Sequence, residues 1–364
     1  MYRTIHLLRA RLFAVMQRLF RTIGGVPRIL HRGISSDTRT VAPSFSYKCP
    51  VDHDGRPVDW DDLELWLKAF ERRRTWALCT SDEAPDFNLG VGKGPRAGRI
   101  RRYDARFRNQ FHNKKQFFSL IAPRSLPFVP KTYTDKEQAA IAFQSNTNSS
   151  TKETWFFKKS LESRGAGVFA FHSLADVPPE DLEEEGVFQQ EVPDMLLWRN
   201  GAKFDLRVVA CVAPGRRVYM YETFFARVSD VTYNPQSLKR EMQCTNLSQG
   251  GKVCVFDDTA NADGAVTDRV SHAVQQVMLQ MSDSLQEERF HYFGFDFMLD
   301  KKYNPWLLEV NSTPHLYRCN FKGDIVDMME DLLKSIIEPE ICRQRADRSG
   351  GESPAPSRWR LVSQ

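Results

Sequence analysis

The sequence predicts a mixed α+β or α/β fold in which antiparallel sheets are flanked by helices. Two apolar runs of strand length, GFDFMLD and PWLLEVN, flank a short polar turn within residues 294–311, a pattern typical of a β-hairpin. Candidate strands fill residues 155–228, and apolar stripes at helical spacing lie at residues 270–285 and 325–336. The 364 residues are enough for a large core or for two to three subdomains.

The hairpin brings two carboxylates opposite each other. If Asp300 pairs with Pro305 across the turn, Asp296 faces Glu309, and Asn311 lies on the same face because side chains two residues apart share it. Facing carboxylates repel each other unless positive charge lies between them. Two carboxylates and an amide oxygen are hard ligands of the kind that Mg²⁺ prefers. The alternative is a solvated acidic edge on a surface hairpin.

The composition excludes several classes of protein. It has 41% hydrophobic residues but no apolar run near the roughly 20 residues of a membrane span. The seven cysteines form no CxxC pair, which indicates reduced thiols rather than a disulfide framework or a zinc site. Residues 1–36 carry seven arginines and no acidic residue, so the net charge of +5 becomes −2 without them. The overall charge therefore does not indicate nucleic-acid binding.

Residues 1–40 are predicted to form an Arg-rich amphipathic leader. Its apolar residues recur at helical spacing and are Leu8, Leu12, Val15, Leu19 and Ile23. An Arg-rich segment without acidic residues is typical of a mitochondrial transit peptide. The alternatives are a helix that lies on a membrane surface or a partner, and a wrongly assigned start codon.

Residues 41–110 are predicted to form a linker and an N-terminal subdomain with a basic loop. A helix that starts near Asp59 and the short strand TWALCT precede this loop. The basic residues are opposed only by Asp104 and are Lys93, Arg96, Arg99, Arg101, Arg102, Arg106 and Arg108. Such a block attracts an acidic partner through its electrostatic field. The alternative is an ordinary solvated loop.

The segment KFDLRVVACV predicts a strand with one charged face. Alternation places Lys203, Asp205 and Arg207 on that face, which fits either a wet functional cleft or a solvent-facing sheet. Other candidate strands are WFFKK, GVFAF, GVFQQEV and VYMYETFFARV. The loop SRGAG between the first two can cradle phosphate with its backbone N–H groups. A helix that ends at Pro339 and a disordered tail over residues 341–364 complete the chain.

Seven segments together resemble the tubulin tyrosine ligase-like family of ATP-grasp enzymes. In order they are WFFKK, SRGAG, FQQEV, KFDLR, CTNLS, GFDFMLD and NPWLLEVNSTPHL, and the resemblance covers about residues 109–338. It implies an ATP-grasp-like domain over residues 111–340, with a central and a C-terminal lobe. ATP lies between two antiparallel sheets of such a domain, and Mg²⁺ bridges its phosphates.

The resemblance also assigns roles to individual residues. The residues that match ATP contacts are Lys115, Lys158, Arg164, Gly165, Gly167, Gln189, Gln190, Glu191, Val192, Lys203, Asp205, Thr245 and Asn246. Lys114 is an alternative to Lys115. The metal ligands match Asp296, Glu309 and Asn311, and the catalytic arginines that face phosphate and the amino-acid carboxylate match Arg207 and Arg227. The amino-acid pocket would comprise Arg227, Leu247, Ser248 and Lys322, with Arg318 as an alternative to Lys322.

The chemistry that this resemblance implies is amide formation. ATP phosphorylates a carboxylate, and the amine of an amino acid then displaces phosphate from the acyl phosphate. The protein would contribute positioning and charge neutralisation, so no nucleophilic Ser or Cys is needed. Departures from the family pattern at Lys159, Gln243 and Leu247 leave the nucleotide and metal positions intact but change the amino-acid pocket.

Three functions follow as hypotheses. The first is a ligase that adds an amino acid, glutamate before others, to a tubulin tail or another acidic protein tail in the cytoplasm and cytoskeleton, including microtubules and the cilium or flagellum. The second is the same chemistry on a different acceptor inside an organelle. The third is a catalytically weak relative that binds microtubules or a partner protein.

The leader yields a direct test of localisation. A fusion of residues 1–40 to a fluorescent reporter is expected to enter mitochondria, because the segment is basic, amphipathic and free of acidic residues. Fluorescence microscopy with a mitochondrial dye measures the result. A diffuse reporter, or one that decorates the cytoskeleton, would contradict the organellar hypothesis.

Overall fold

The three-dimensional structure is a computed structural model. It describes residues 45–49, 62–79, 84–90, 98–103, 105–122, 125–145, 153–162, 165–245, 251–256, 265–316, 322–345 and 357–363. All of them lie within one compact unit that spans residues 43–364. The predicted leader over residues 1–40 lies outside the described residues. None of the helices in the described ranges combines the length and the apolar character that a membrane crossing needs.

The elements are numbered in chain order. The strands are β1 (Phe45–Lys48), β2 (Trp76–Leu78), β3 (Phe87–Asn88), β4 (Ile100–Arg102), β5 (Thr132–Tyr133), β6 (Trp155–Lys159), β7 (Val168–Phe171), β8 (Gly186–Gln190), β9 (Ala202–Ala213), β10 (Arg217–Tyr221), β11 (Phe225–Thr232), β12 (Lys252–Val255), β13 (Arg289–Leu299), β14 (Pro305–Asn311) and β15 (Trp359–Ser363). The helices are α1 (Leu63–Arg73), α2 (Ala105–His112), α3 (Lys114–Ile121), α4 (Lys136–Ser145), α5 (Pro179–Leu182), α6 (Arg240–Gln243), α7 (Ala265–Leu279), α8 (Lys322–Leu332) and α9 (Glu338–Gln344).

A small antiparallel sheet carries the first group of predicted strands. Its order is β5-β8-β6-β7, so WFFKK, GVFAF and GVFQQ are strands as predicted. One face packs an aromatic core that includes Trp155, Phe157 and Phe188. Gly186 makes this packing possible, because a Cβ there would lie 2.3 Å from the Phe157 ring.

A large sheet forms the centre of the molecule. Its main path is β12-β11-β9-β13-β4-β3-β1-β2. Off this path, β14 pairs with β13, β10 pairs with β9, and β15 pairs with β10. All twelve residues of β9 are buried, because both faces of the sheet are covered. One apolar core contains residues of α2, α3 and α7, and the opposite core contains residues of α1 and α8. The predicted mixed fold with antiparallel sheets and flanking helices is therefore confirmed.

The N-terminal strands extend this sheet and pair in parallel. Strand β4 pairs with β13, β3 pairs with β4, and β1 pairs with both β3 and β2, all in parallel. Trp66 of α1 is fully buried against Phe87, Phe290 and Tyr292, which joins the two parts of the chain. The predicted boundary at residues 110 and 111 falls inside α2, so residues 45–103 are part of the same body rather than a separate subdomain.

Three arginines of the predicted basic loop have structural partners. The ion pairs are Arg99 with Asp86 at 3.2 Å and Arg101 with Glu288 at 2.6 Å. Arg102 is buried and donates from Nε to His291 Nδ1 at 3.4 Å. Acidic residues that are distant in sequence therefore fold against this block, in addition to Asp104 within the segment itself. Lys93 and Arg96 lie outside the described residues.

The C-terminal residues are ordered where the structure describes them. Strand β15 pairs antiparallel with β10, and Trp359 is buried against Tyr221, with ring centroids 5.3 Å apart. Residues 341–344 belong to α9. The predicted disordered tail over residues 341–364 is therefore wrong for residues 341–345 and 357–363, because their apolar side chains complete a core.

Two further boundaries differ from the prediction. The chain does not leave the helical conformation at Pro339, since a π-helical turn over Leu333–Ile337 connects α8 to α9. Pro339 lies in the first turn of α9, just after the π-helical turn, which fits the loss of its N–H from the regular helical hydrogen-bond pattern. The segment VYMYETFFARV is broken at residues 222–224 into β10 and β11.

The ordered C-terminal strand can be tested with a matched pair of variants. We expect Trp359→Ala to lower the free energy of unfolding by about 3–5 kcal/mol, because it empties a core position and removes the indole hydrogen bond to the Met328 carbonyl. Leu361→Ala, in the same strand but 41% exposed, should change it by less than about 0.5 kcal/mol. Urea denaturation measures both, and equal small effects would show that β15 is not part of the folded body.

Candidate active site

The hairpin of β13 and β14 forms the base of the site. Asp296 and Glu309 are paired across the two strands, as predicted. The predicted register at the turn is wrong by one residue, since Pro305 pairs with Leu299 rather than with Asp300. A β-bulge at Leu308 inserts the extra residue and restores the predicted pairing at the carboxylates.

The hairpin residues fit a small, hard cation. The Asn311 side-chain nitrogen lies 3.1 Å from both Asp296 Oδ2 and Glu309 Oε1, so one polar group bridges the two carboxylates. A half-turn of the Asn311 carboxamide would present its oxygen at the same place, which gives three hard oxygen donors suited to Mg²⁺. Among the described residues, no group of three or more His, Cys, Asp or Glu side chains forms an alternative metal site.

A ladder of alternating charges runs across the three central strands β11, β9 and β13. Arg207 binds both carboxylate oxygens of Asp296, at 2.5 and 3.0 Å. Arg227 joins Asp205 at 2.6 Å to Asp296 at 2.7 Å. The Thr245 hydroxyl donates to the other oxygen of Asp205. The predicted charged face of β9 is therefore an interior polar surface, and the solvent-facing alternative is wrong.

This ladder bears on the roles predicted for the two arginines. Arg207 uses Nε and Nη2 on Asp296 and donates from Nη1 to the Pro314 carbonyl. Its contacts in the structure orient Asp296 and the chain after β14. Arg227 likewise holds Asp205 and Asp296, and its proximity to these carboxylates raises its pKa against the effect of burial. Their contacts with phosphate and an amino acid stay predictions.

Positive side chains keep the Glu309 carboxylate charged. Burial raises the pKa of Glu309, but Lys114, Lys158 and Arg227 outweigh burial and hold it well below its usual range. Burial also raises the pKa of Asp296, and the two arginines of the ladder oppose that rise. Glu309 is therefore ionised at neutral pH, as a metal ligand must be.

Lys114, rather than Lys115, lies at the site. Lys114 forms an ion pair with Glu309 at 3.7 Å and donates to the Glu162 carbonyl at 2.6 Å. Lys115 instead pairs with Glu185 at 3.0 Å, and its side chain is 40% exposed. The reason is helical geometry, because Lys114 starts a buried stripe that continues three, four and seven residues later with Phe117, Phe118 and Ile121.

Lys158 connects the small sheet to the hairpin. It is buried, donates to Gln189 Oε1 at 2.5 Å and lies 3.4 Å from the Leu308 carbonyl. Burial lowers its pKa to about 8, with the nearby charge of Glu309 acting in the opposite direction. A cation held next to the hairpin carboxylates, at the join of two sheets, is suited to bind a phosphate group.

Lys203 makes a second connection between the sheets. It binds Glu191 and the Gln243 oxygen, each at 2.5 Å, and its ammonium lies over the rings of Phe156 and Tyr233. The Tyr233 hydroxyl donates to Glu191 at 3.1 Å. Burial lowers the pKa of Lys203, and Glu191 opposes that change. These aromatic rings and polar groups provide surfaces of the kind that a nucleobase needs.

The remaining predicted residues fall into three groups. Gly165 has a positive φ of 73°, and a Cβ on Gly167 would lie 2.6 Å from Glu162, so the turn between β6 and β7 requires both glycines. Val192 is buried, whereas the Gln190 side chain points away from the site towards Glu153. Residues outside the described part of the chain are Arg164, Asn246, Leu247, Ser248 and Arg318, together with the side chain of Lys322.

Three residues that belong to this site or adjoin it were not predicted. Tyr233 follows β11 outside any recognised motif, so no sequence signal identified it. His112 is half-buried within electrostatic range of Glu309, and burial together with Lys114 lowers its pKa. Arg240 reaches from α6 to the turn between β6 and β7. Gln243 was noticed only as a departure from a family pattern.

Comparison with known sequences gives an independent result. The sequence model of the tubulin-tyrosine ligase family matches residues 91–253 and 257–349. This match covers every described residue of the charge ladder, the hairpin and the two lysine connections. It includes β4 and α2, which the structure joins to the same body.

Individual relatives are similar at low identity. A tubulin glycylase 3B of Tetrahymena thermophila is 25% identical over 224 residues, which are 53% of this chain and 19% of the relative. A tubulin polyglutamylase of Caenorhabditis briggsae is 26% identical over 255 residues, or 60% and 40%. A tubulin monoglutamylase of Mus musculus is 23% identical over 335 residues, or 75% and 27%. The chain thus spans less than half the length of these relatives.

The assignment of Lys114 is testable against its neighbour. We expect Lys114→Met to weaken binding of a non-hydrolysable ATP analogue by about 10- to 100-fold, the effect of losing one charged hydrogen-bond donor. Lys115→Met removes the same charge one residue away, from an exposed ion pair, and should change the affinity less than about twofold. Titration calorimetry measures both. A larger loss with Lys115→Met would reverse the assignment.

Proposed function

The chain belongs to the tubulin-tyrosine ligase family, and on this basis we propose that it is an ATP- and Mg²⁺-dependent ligase that adds an amino acid to a protein carboxylate. The proposed amino acid is glutamate, and the proposed acceptor is a tubulin tail at microtubules. The observation that carries the proposal is the convergence of the hairpin carboxylates with Lys114 and Lys158. Two carboxylates and two lysines side by side suit a metal-bound polyphosphate.

The proposed division of labour follows from the charges. Asp296, Glu309 and Asn311 would hold Mg²⁺, which when bound would neutralise charge on the ATP phosphates. Lys114 and Lys158 lie next to Glu309 and would bind phosphate oxygens. A positive group that is already in place stabilises the charge of a phosphoryl group in transfer without reorganisation.

In the first step a carboxylate oxygen of the acceptor attacks the γ-phosphorus, and ADP leaves. In the second the amino-acid nitrogen attacks the acyl carbon, inorganic phosphate leaves and the nitrogen loses a proton. The half-buried rings around Lys203 support nucleotide binding, because Phe156 and Tyr233 offer apolar faces beside polar groups. No described residue is required as a covalent nucleophile, which fits the absence of covalent work for the protein in this chemistry.

Glycine is the second candidate for the added amino acid. Its basis is the tubulin glycylase, which resembles this chain as closely as the glutamylases do. The predicted amino-acid pocket includes Leu247, Ser248 and the Lys322 side chain, which lie outside the described ranges. An acceptor other than tubulin is a further outcome of the same test.

The test is amino-acid incorporation by the purified full chain. Labelled glutamate or glycine is supplied with ATP, Mg²⁺ and either microtubules or no acceptor, and tubulin tails are analysed by mass spectrometry. We expect ATP-dependent addition of glutamate to the tails. Glu309→Gln keeps the side-chain volume but removes a metal-binding charge, so it should lower the rate by at least about 100-fold. Its melting temperature should change by less than about 4 °C.

The outcomes separate the hypotheses. Addition of glycine alone would show that glycine, rather than glutamate, is the added amino acid. ATP turnover without addition of either amino acid to tubulin would point to another acceptor. No ATP binding by the folded wild type would overturn the ligase proposal. Equal rates for the wild type and Glu309→Gln would show that the hairpin does not hold the metal.

A further inference from the structure

One arginine outside the predicted site holds the turn between β6 and β7. Arg240, the first residue of α6, donates from Nη2 to the Ala166 carbonyl and, at 3.5 Å, to the Val168 carbonyl. Its guanidinium also lies over Phe169 of β7, 6.0 Å from the ring centroid. A single side chain therefore contacts the middle of the glycine-containing turn that was predicted to bind phosphate, and the residue that follows this turn.

The helix that carries Arg240 is fixed to the large sheet. Ser229 of β11 donates from its hydroxyl to the Glu241 carbonyl at 2.9 Å. Gln243, at the end of α6, accepts the hydrogen bond from Lys203 of β9 at 2.5 Å. Thr245 follows two residues later and binds Asp205. Arg240 thus reaches from a segment that is tied to the polar face of β9.

The turn itself needs such support. Gly165 has a positive φ, and glycines lose more backbone freedom than other residues when they become ordered. A ligand that must order a loose turn loses part of its binding free energy to that ordering. Two carbonyls bound to one charged side chain remove much of this cost before the ligand arrives.

We infer that Arg240 is a positioning residue that pre-orders the turn over Gly165–Gly167 relative to Lys203 and Asp205, and thereby increases the affinity for the phosphates of a nucleotide. The inference rests on the proposed function for the identity of the ligand. The predicted order of the turn is independent of the proposed function, because it is a property of the free protein. Arg240 acts through main-chain carbonyls, so it is distinct from the lysines that would contact phosphate.

A matched control lies on the same ring. Lys159 also lies beside Phe169, 5.8 Å from the centroid, but its ion pairs are with Asp181 at 2.6 Å and Glu184 at 2.8 Å. Lys159→Ala therefore removes one positive charge from the same surface without removing a donor to the turn carbonyls. Arg240→Lys keeps the charge of Arg240 but replaces the guanidinium, whose Nη2 reaches both carbonyls, with a compact ammonium.

The experiment compares the full-length wild type with Arg240→Ala, Arg240→Lys and Lys159→Ala. Hydrogen exchange of the amides in residues 165–168 is measured without ligand, and binding of a non-hydrolysable ATP analogue with Mg²⁺ is measured by calorimetry. Arg240→Ala should speed exchange in the turn and weaken analogue binding, each by about tenfold or more. The exchange rate and the affinity of Arg240→Lys should lie between those of the wild type and Arg240→Ala. Those of Lys159→Ala should match the wild type.

Each possible outcome supports or overturns the role inferred for Arg240. Exchange and affinity in Arg240→Ala that equal those of Lys159→Ala would overturn the inference. If Arg240→Ala does not fold, the test uses Arg240→Lys instead. Wild-type exchange in the turn and wild-type affinity for the analogue in Arg240→Lys would then overturn the inference. If the wild type binds no ATP analogue, the proposed function fails, and faster exchange in Arg240→Ala still supports the role of Arg240 in the turn while unchanged exchange overturns it.

Discussion

The pairing of buried charges across β11, β9 and β13 constrains the rest of the structure. Arg227 of β11 pairs with Asp205 of β9, and Asp296 of β13 pairs with Arg207 of β9. A buried charge costs several kcal/mol unless a partner offsets it. A slip of any one of these strands by one residue would turn its charged side chains towards an apolar core and its apolar side chains towards the polar interior. The ladder therefore allows one register of the three strands, and the hairpin follows from it.

This register determines where the carboxylates of the site lie. Because Asp296 is fixed by two arginines, Glu309 meets it across the hairpin at a defined place. Lys114 and Lys158 then approach Glu309 from α3 and from the small sheet and keep it ionised. Lys158 also connects the two sheets, so one of the groups proposed to bind phosphate also helps to determine how the sheets meet. Binding and architecture depend on the same contacts.

Segments far from the hairpin in sequence complete the body around it. Strand β4 extends the sheet beside β13, and β15 covers β10 with Trp359. The arginines on and before β4 are engaged by Asp86 and Glu288, so they stabilise this extension. Recognition of an acidic acceptor by this face would have to compete with ion pairs already formed, which makes these arginines poor candidates for a free acidic-tail site.

The sequence alone determined the features that depend on neighbours a few residues apart. Alternation determined the polar face of β9, because strand periodicity is local. The pairing of Asp296 with Glu309 was predicted from a turn register that is wrong by one residue, and the bulge at Leu308 produces that pairing in the folded hairpin. Tertiary structure decided the partners. Whether Lys114 or Lys115 faces the site depends on which stripe of α3 packs on the core, and the ion pairs of the basic loop depend on residues that only folding brings near. Local geometry is encoded in spacing, whereas the partner of a charge is selected by burial among distant elements.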